Sequence, residues 1–340
     1  MTKQSQTASG EARKMDYQRI ISPYADDLAL VEEAIKANFK SDVALIPNIS
    51  SYLMGSGGKR IRPLLLIISS RLCGYQGAGA LHIDLSVVVE YVHAATLLHD
   101  DVVDGSSLRR GAESANVKFG NQASVLVGDF LFAKSLELMS SGGDMRIVEA
   151  MARATRNLAE GEVLQLVNTC NIDTTEEDYL NTVYRKTGAL IEACLSLGAI
   201  LGKATKNMEN ALAKYGKNIG MAFQLMDDAL DYTAEEKTWG KPVGADFIEG
   251  KVTLPLIRAY SEATGDQKDF IRGCLESEEP EPSSLAEVTS ILERYGAIEK
   301  TKDMAKDYVE EAKASLSALP LSDDLGALFS VADYVIERKV

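Results

Sequence analysis

Two acidic quintets, more than a hundred residues apart, carry the chemical potential of this 340-residue chain: Asp100-Asp101-Val102-Val103-Asp104 and Asp227-Asp228-Ala229-Leu230-Asp231. In each, the first and last aspartates stand at i and i+4, so a helix places them on one face. Like charges at that spacing repel and weaken an isolated helix. Apolar runs precede both, Ala94-Ala95-Thr96-Leu97-Leu98 and Met221-Ala222-Phe223-Gln224-Leu225-Met226. Carboxylates gathered beside buried stretches need a cation. Hard oxygen ligands of this kind suit Mg²⁺, which keeps waters and completes its shell with substrate phosphates. Asp100, Asp101, Asp104, Asp227, Asp228 and Asp231 are therefore the candidate metal ligands. One such motif could be a solvated helix face, but two in matching apolar contexts point to a site between two helices. A calcium loop is excluded: with Asp100 at position one, Gly105 falls correctly at six, but positions three and twelve become Val102 and Gly111, which offer no side-chain oxygen.

Cations supply the other half of a diphosphate site. Gly55-Ser56-Gly57-Gly58-Lys59-Arg60-Ile61-Arg62-Pro63 is a glycine-rich turn followed by three of them. It is no Walker A loop, because no Ser or Thr follows the lysine and the glycine spacing differs. Lys59 and Arg62, at i and i+3, share a helix face. Arg109-Arg110 follow the first acidic motif, then Lys186. Lys241 and Lys251 follow the second, in glycine-bearing turns. Arginine grips phosphate oxygens with a two-pronged fork, while lysine acts as a compact point charge.

These segments resemble the trans-isoprenyl diphosphate synthases (polyprenyl synthetases). The resemblance rests on Gly57 to Pro63, Leu98 to Asp104, Leu108 to Gly111, Val127-Gly128-Asp129-Phe130, Lys186-Thr187, Phe223 to Asp228, Gly240-Lys241-Pro242 through Asp246, Gly250-Lys251 and Thr253-Leu254-Pro255. The motifs stand in the family's order across roughly residues 45 to 260. The resemblance implies an all-α isoprenoid-synthase fold, with helices surrounding a deep central cavity. It implies up to three Mg²⁺ held by the aspartates and bridging an allylic diphosphate, farnesyl or geranylgeranyl. Arg109, Lys186, Thr187, Gln224, Lys241 and Lys251 would complete that subsite. Lys59, Arg62, His93 and Arg110 would bind isopentenyl diphosphate. Asp100, Asp104, Lys186, Asp227 and Lys241 would act in the chemistry. The allylic cation is then attacked by the isopentenyl double bond, and the departing diphosphate takes the proton, so no protein nucleophile is required.

The resemblance also bears on product length. Short-chain family members carry bulky aromatics at the positions of Ala95 and Thr96, one turn before Asp100. Here both are small, so the growing tail passes and the expected product is heptaprenyl to decaprenyl, octaprenyl first, with Phe132 as the cavity floor and quinone side chains as the use. A terpene cyclase shares the first acidic motif but carries a mixed Asn/Ser/Glu motif in place of Asp227–Asp231. A non-catalytic subunit of a heteromeric synthase usually lacks both motifs. His99 has no family role and is read as structural. Homodimer is the family expectation, with Asn121–Met139 as the interface.

Composition agrees. Hydrophobic residues make up 46%, enough for a large core, and the net charge of −14 argues against a nucleic-acid partner. Four cysteines, Cys73, Cys170, Cys194 and Cys274, show no metal or CxxC spacing and are read as reduced thiols of a cytoplasmic protein. Met1 to Arg13 is polar and is expected to be a disordered leader before a single domain, 14–340. No uninterrupted apolar stretch of about eighteen residues offers a transmembrane span, which leaves at most a transient membrane contact for product release. Helical periodicity covers about 16–39, 43–55, 60–73, 82–104, 121–141, 145–169, 175–203 and 207–235, then five shorter helices from 252 to 337. Glu276–Ser284 is read as a surface loop, and no strand of consequence is expected.

Overall fold

A computed structural model of the chain describes residues 17–55, 58–109, 111–233, 243–277 and 282–338. Arg110 and Lys241 lie outside them, as does the expected leader. Helices dominate: α1 (Tyr17–Ile21), α2 (Ala25–Asn38), α3 (Leu45–Gly55), α4 (Ile61–Leu72), α5 (Leu81–Val103), α6 (Ala115–Phe119), α7 (Asn121–Ser140), α8 (Met145–Asn168), α9 (Glu176–Val183), α10 (Ala189–Leu201) and α11 (Lys206–Asp231). After these come α12 (Ala245–Ile248), α13 (Leu254–Glu262), α14 (Gly265–Leu275), α15 (Pro282–Arg294), α16 (Ala297–Ser315) and α17 (Asp323–Glu337).

Most expected helices form where the periodicity places them, and the departures have local causes. The helix expected over 16–39 breaks into a 3₁₀ turn at Ser22–Tyr24, where Pro23 sits in the first turn with no N–H to donate. The segment 175–203 is capped by Thr175, whose side chain accepts from Asp178 N at 3.1 Å, but it is interrupted by a π-turn at Tyr184–Gly188. A two-residue hairpin, β1 (Leu108–Arg109) with β2 (Ala112–Glu113), was too short for any alternation to reveal. The helices α6 and α12, five and four residues long, are likewise too short for periodicity to show.

Position in the core follows from composition. α5 is apolar nearly all round, and Leu85, Val87, Val88, Val89 and Tyr91 are wholly buried. It is long and apolar enough to cross a membrane, yet 72% of its most apolar window is buried inside the protein. It packs against α2, α4, α7 and α10, while α11 packs against α10, α16 and α17. α10 thus touches both helices that carry the acidic motifs, and it delivers their C-terminal turns to one region. A second cluster, around Phe247, Leu256, Ile271 and Val288, includes Ala229 and Tyr232 at the end of α11 and anchors the segment bearing Lys251.

The π-turn is clamped by glycines. A Cβ on Gly161 of α8 would lie 2.8 Å from Lys186 N, and one on Gly220 of α11 would lie 2.5 Å from Gly188 Cα. Both neighbours are backbone, so neither can swing aside. Gly220→Ala is expected to lower the unfolding free energy by about 1–3 kcal/mol through overpacking. A urea unfolding curve checks this, and an unchanged midpoint would mean that α11 and the π-turn can part without loss.

Candidate active site

The first acidic motif forms the last turn of α5. Asp104 caps that helix, its N–H donating to Asp100 O at 2.7 Å. The side chains of Asp100 and Asp104 reach the solvent-accessible side, whereas Asp101 is wholly buried. Arg109, from β1, donates through Nε to Asp101 Oδ1 at 2.7 Å, and Asn116 of α6 donates to Asp101 O at 3.0 Å. The second motif ends α11 and divides differently. Asp227 keeps 28% side-chain exposure. Asp228 is buried, accepting from the Tyr179 hydroxyl and from Gln224 Nε2, the latter at 2.8 Å. Asp231 is buried too and accepts from Asp246 N at 3.1 Å. Of six aspartates read as metal ligands, the structure therefore turns three outward, Asp100, Asp104 and Asp227. Asp101, Asp228 and Asp231 are turned into the protein, each with a protein donor on its carboxylate.

The two motifs share one site. Lys251, beyond the second motif, lies 3.2 Å from Asp104 of the first and 2.5 Å from Glu249. Burial opposes its charge, but Glu249, Asp246 and Asp104 together push its pKa up. Asp246 in turn raises Asp227 and Asp228. Lys186, presented by the π-turn, pairs with Glu162 of α8 at 2.7 Å and acts on Asp100. The preceding glycine, Gly161, is what lets that turn approach. Thr187 donates to Gln224 Oε1 at 2.9 Å, so a chain of bonds runs from the π-turn through Gln224 to Asp228.

On the basic side, Lys59 Nζ lies 5.5 Å from the Tyr334 ring centre, close enough to act on Asp227. Arg62 has a buried Nε that finds no hydrogen-bond partner among the described residues. A guanidinium N–H left open in this way is a ready donor for an anion. His93 lines a small cavity of about 110 Å³ together with Arg60, Glu90, Asp101 and Arg109.

Sequence reading missed several participants. Arg338, at the end of α17, pairs with Asp227 at 2.8 Å, lies 3.7 Å over the Phe223 ring and donates to Phe223 O at 2.7 Å. Glu162 and Tyr179 were likewise unassigned. None of the three sits in a local pattern that sets it apart. His99, read as structural, does pack tightly: a Cβ on Gly128 would lie 2.4 Å from its Nε2, which stands 3.1 Å from Val125 O.

Behind Asp100 opens a largely apolar cavity of about 600 Å³. Val92, Thr96, His99, Asp100 and Val103 of α5 line one side, Phe132, Ser135, Leu136 and Met139 of α7 another, and Val148 to Glu162 of α8 the third. The three residues read as chain-length determinants take different places around it. Ala95 is fully buried and is not among the lining residues, since one residue back from Thr96 turns the side chain about 100° round the helix. Phe132 lies beside His99, with ring centres 5.8 Å apart, near the acidic end. The cavity continues past it to Met139, about 10 Å further along α7. Phe132 thus lines the cavity near its acidic end.

Electrostatics give the site a pH signature. Burial pushes the Asp100 carboxyl up to about 7, with Glu162 and Asp104 adding to the effect against Lys186 and Arg109. Burial also raises Asp227, against the opposing Arg338, and Asp228. A carboxyl raised on folding binds more protons folded than unfolded, so stability falls as pH rises from the unfolded value toward the folded one. The metal-free protein should therefore lose stability between about pH 4 and 7. Asp100→Asn should flatten that slope, as read by urea titrations in chelator. A variant curve parallel to wild type would remove Asp100 from the cause.

Comparison with known proteins agrees with the geometry. Residues 43–292 match the model of the family described as polyprenyl synthetase. The chain is 41% identical over 324 residues to the octaprenyl diphosphate synthase of Escherichia coli (strain K12), covering 95% of this chain and 99% of that one. A polyprenyl synthase from Caulobacter crescentus CB15, solved in complex with calcium and isoprenyl diphosphate, superposes with a TM-score of 0.92 at 39% identity, over 96% of this chain and 99% of that one. A decaprenyl diphosphate synthase from Rhodobacter capsulatus gives 0.90 at 40%, over 95% and 99%. With the paired acidic turns, the cations around them and the apolar cavity behind, the chain belongs to the polyprenyl synthetase family, the trans-prenyltransferases that lengthen prenyl diphosphates.

Proposed function

We propose that this enzyme condenses isopentenyl diphosphate with farnesyl or geranylgeranyl diphosphate into a long all-trans polyprenyl diphosphate, octaprenyl first. The observation that carries the reading is the cavity whose mouth holds Asp100 and whose walls run apolar along three helices. Its lining on α8, from Glu162 back to Val148, follows about 21 Å of helix at about 1.5 Å per residue. A tail several isoprene units long fits such a depth. Relatives at 41% and 40% identity carry octaprenyl and decaprenyl names, so similarity alone does not choose between lengths.

The donors suit Mg²⁺. Asp100, Asp104 and Asp227 offer hard carboxylate oxygens, and burial raises Asp100 and Asp227 despite the cations beside them. The calcium and isoprenyl diphosphate bound by the Caulobacter relative support the same pairing of divalent cation and diphosphate. When bound, Mg²⁺ supplies charge neutralisation as the allylic carbon–oxygen bond breaks. Lys186 and Lys251 flank the allylic diphosphate, with Thr187 and Gln224 fixing the π-turn beside it. Lys59, Arg62 and His93 hold the second diphosphate. Arg110 and Lys241 join these sets by resemblance. The apolar walls exclude water from the allylic cation.

The reading extends to a homodimer across α7, whose Leu126 and Leu136 are 66% and 61% exposed. It also extends to a cytoplasmic enzyme, in line with four unpaired cysteines, that touches a membrane only to release product.

Labelled isopentenyl diphosphate, farnesyl diphosphate and Mg²⁺ should give products of seven to ten isoprene units on sizing. A product no longer than geranylgeranyl would reject the long-chain reading. Asp100→Ala and Asp227→Ala should abolish turnover while the folded CD spectrum survives. Near wild-type activity in either at saturating Mg²⁺ would remove the metal assignment. Thr96→Phe, inside the cavity, should shorten the product with rate largely kept. Ala95→Phe should instead cost about 1–3 kcal/mol of stability through overpacking and leave length unchanged.

A further inference from the structure

Arg60 stands between Lys59 and Arg62 yet points the other way. It is the residue before α4 and adopts a left-handed conformation, φ 47° and ψ 38°. Side-chain-bearing residues visit that region rarely, and glycine or asparagine would be the ordinary choice. The side chain gives the reason for an arginine. Its guanidinium is only 11% exposed and is held by two carboxylates from different helices. Nε donates to Glu32 Oε1 of α2 at 2.5 Å and Nη1 to Glu90 Oε2 of α5 at 2.6 Å. Nη2 reaches Glu32 Oε2 at 3.3 Å and Met54 O, at the end of α3, at 3.2 Å. Glu90 is itself 5% exposed, so removing Arg60 would take an ion-pair partner from a buried charge.

Three helices are thus tied to one guanidinium, and the tie fixes the backbone from which the neighbouring cations project. The left-handed turn sends Arg60 into the core and leaves Lys59 beside Tyr334 and within reach of Asp227. Lys59 O accepts from the Tyr17 hydroxyl, so the backbone is held on its outer side as well. Arg62, two residues on, keeps its buried Nε without a hydrogen-bond partner among the described residues. Glu90 lies one turn before His93, and both line the same small cavity with Arg60. The carboxylate that grips Arg60 therefore shares a helix face with the third residue of that diphosphate subsite.

We propose that Arg60 is a positioning residue for the isopentenyl diphosphate subsite. It acts through Lys59, Arg62 and His93 without touching the substrate, and the inference rests on the subsite reading given above. Because its anchor is a fork shared by two carboxylates, lysine cannot replace it: one ammonium cannot make the bidentate contact to Glu32 and still reach Glu90.

The test is steady-state kinetics with each substrate varied, beside thermal unfolding, on Arg60→Lys, Arg60→Gly and Glu32→Gln. Arg60→Gly relieves the backbone but deletes the anchor. It should raise the Michaelis constant for isopentenyl diphosphate about tenfold or more, with the constant for the allylic diphosphate changing less than twofold. Arg60→Lys should show the same split, less strongly. Glu32→Gln keeps the Arg60–Glu90 pair, so it remains informative if the glycine variant does not fold, and it should raise the isopentenyl constant by a few fold. A lowered melting temperature with both constants unchanged, or equal rises in both, would overturn the proposal and leave Arg60 a purely structural ion pair. Failure of the subsite reading shows separately, because Lys59→Ala would then leave the isopentenyl constant unmoved.

Discussion

The structure is organised around a repulsion that no part of the fold removes by itself. Both acidic motifs occupy the final turns of their helices, where unsatisfied carbonyls already place about half a negative charge. Packing α10 against α5 and α11 brings those two negative ends into one partly dehydrated region. Carboxylates placed there are held uphill, which is why burial raises Asp100 and Asp227. Each outward aspartate is answered by a cation brought from a distant segment: Lys186 acts on Asp100, Lys251 pairs with Asp104, and Arg338 pairs with Asp227. Two of these cations are shared with a further acid, Glu162 or Glu249. A shared cation is only partly committed, so an arriving cation or diphosphate can redistribute these pairs without stranding a buried charge.

The inward aspartates of each motif have a structural task of their own. Asp101 fixes Arg109 on the hairpin, Asp228 fixes Gln224 and through it Thr187 of the π-turn, and Asp231 fixes the backbone of Asp246 next to Lys251. In every case the buried carboxylate ties down a segment that bears a cation of the site. The two motifs are alike in sequence and unlike in use. The i+4 aspartate of the first, Asp104, faces outward, while that of the second, Asp231, is 2% exposed.

Helical periodicity and the i, i+4 spacing were enough to read the all-α class and the bringing together of Asp100 with Asp104, because both are properties of a single helix. What the chain could not display was anything set by a partner far away. Asp101 and Asp228 look identical to their neighbours until Arg109 and Tyr179 are seen to meet them. The π-turn left no trace in periodicity, since one extra residue shifts the apolar stripe too little over a segment so uniformly apolar. Ala95 and Thr96 are paired by the family resemblance, but adjacent residues on a helix face about 100° apart, and of the two Thr96 is the one that lines the cavity. Depth is a three-helix property, set by where α7 and α8 converge.

The chain ends show most plainly how far the site depends on non-local contacts. Tyr17 of α1 and Tyr334 of α17 pack with ring centres 4.9 Å apart and planes tilted by 35°, and together they border Lys59. Arg338, four residues beyond Tyr334, is 8% exposed and reaches Asp227 across the face of Phe223. A buried ion pair of this sort adds little over apolar packing, yet stripping away one partner costs several kcal/mol because the other charge is left unpaired. Asp227 is therefore tied to the folding of a helix more than a hundred residues away. Occupation of that carboxylate by a metal and the seating of α17 are one energetic problem, since any cation that binds Asp227 must either share it with Arg338 or give Arg338 another anion.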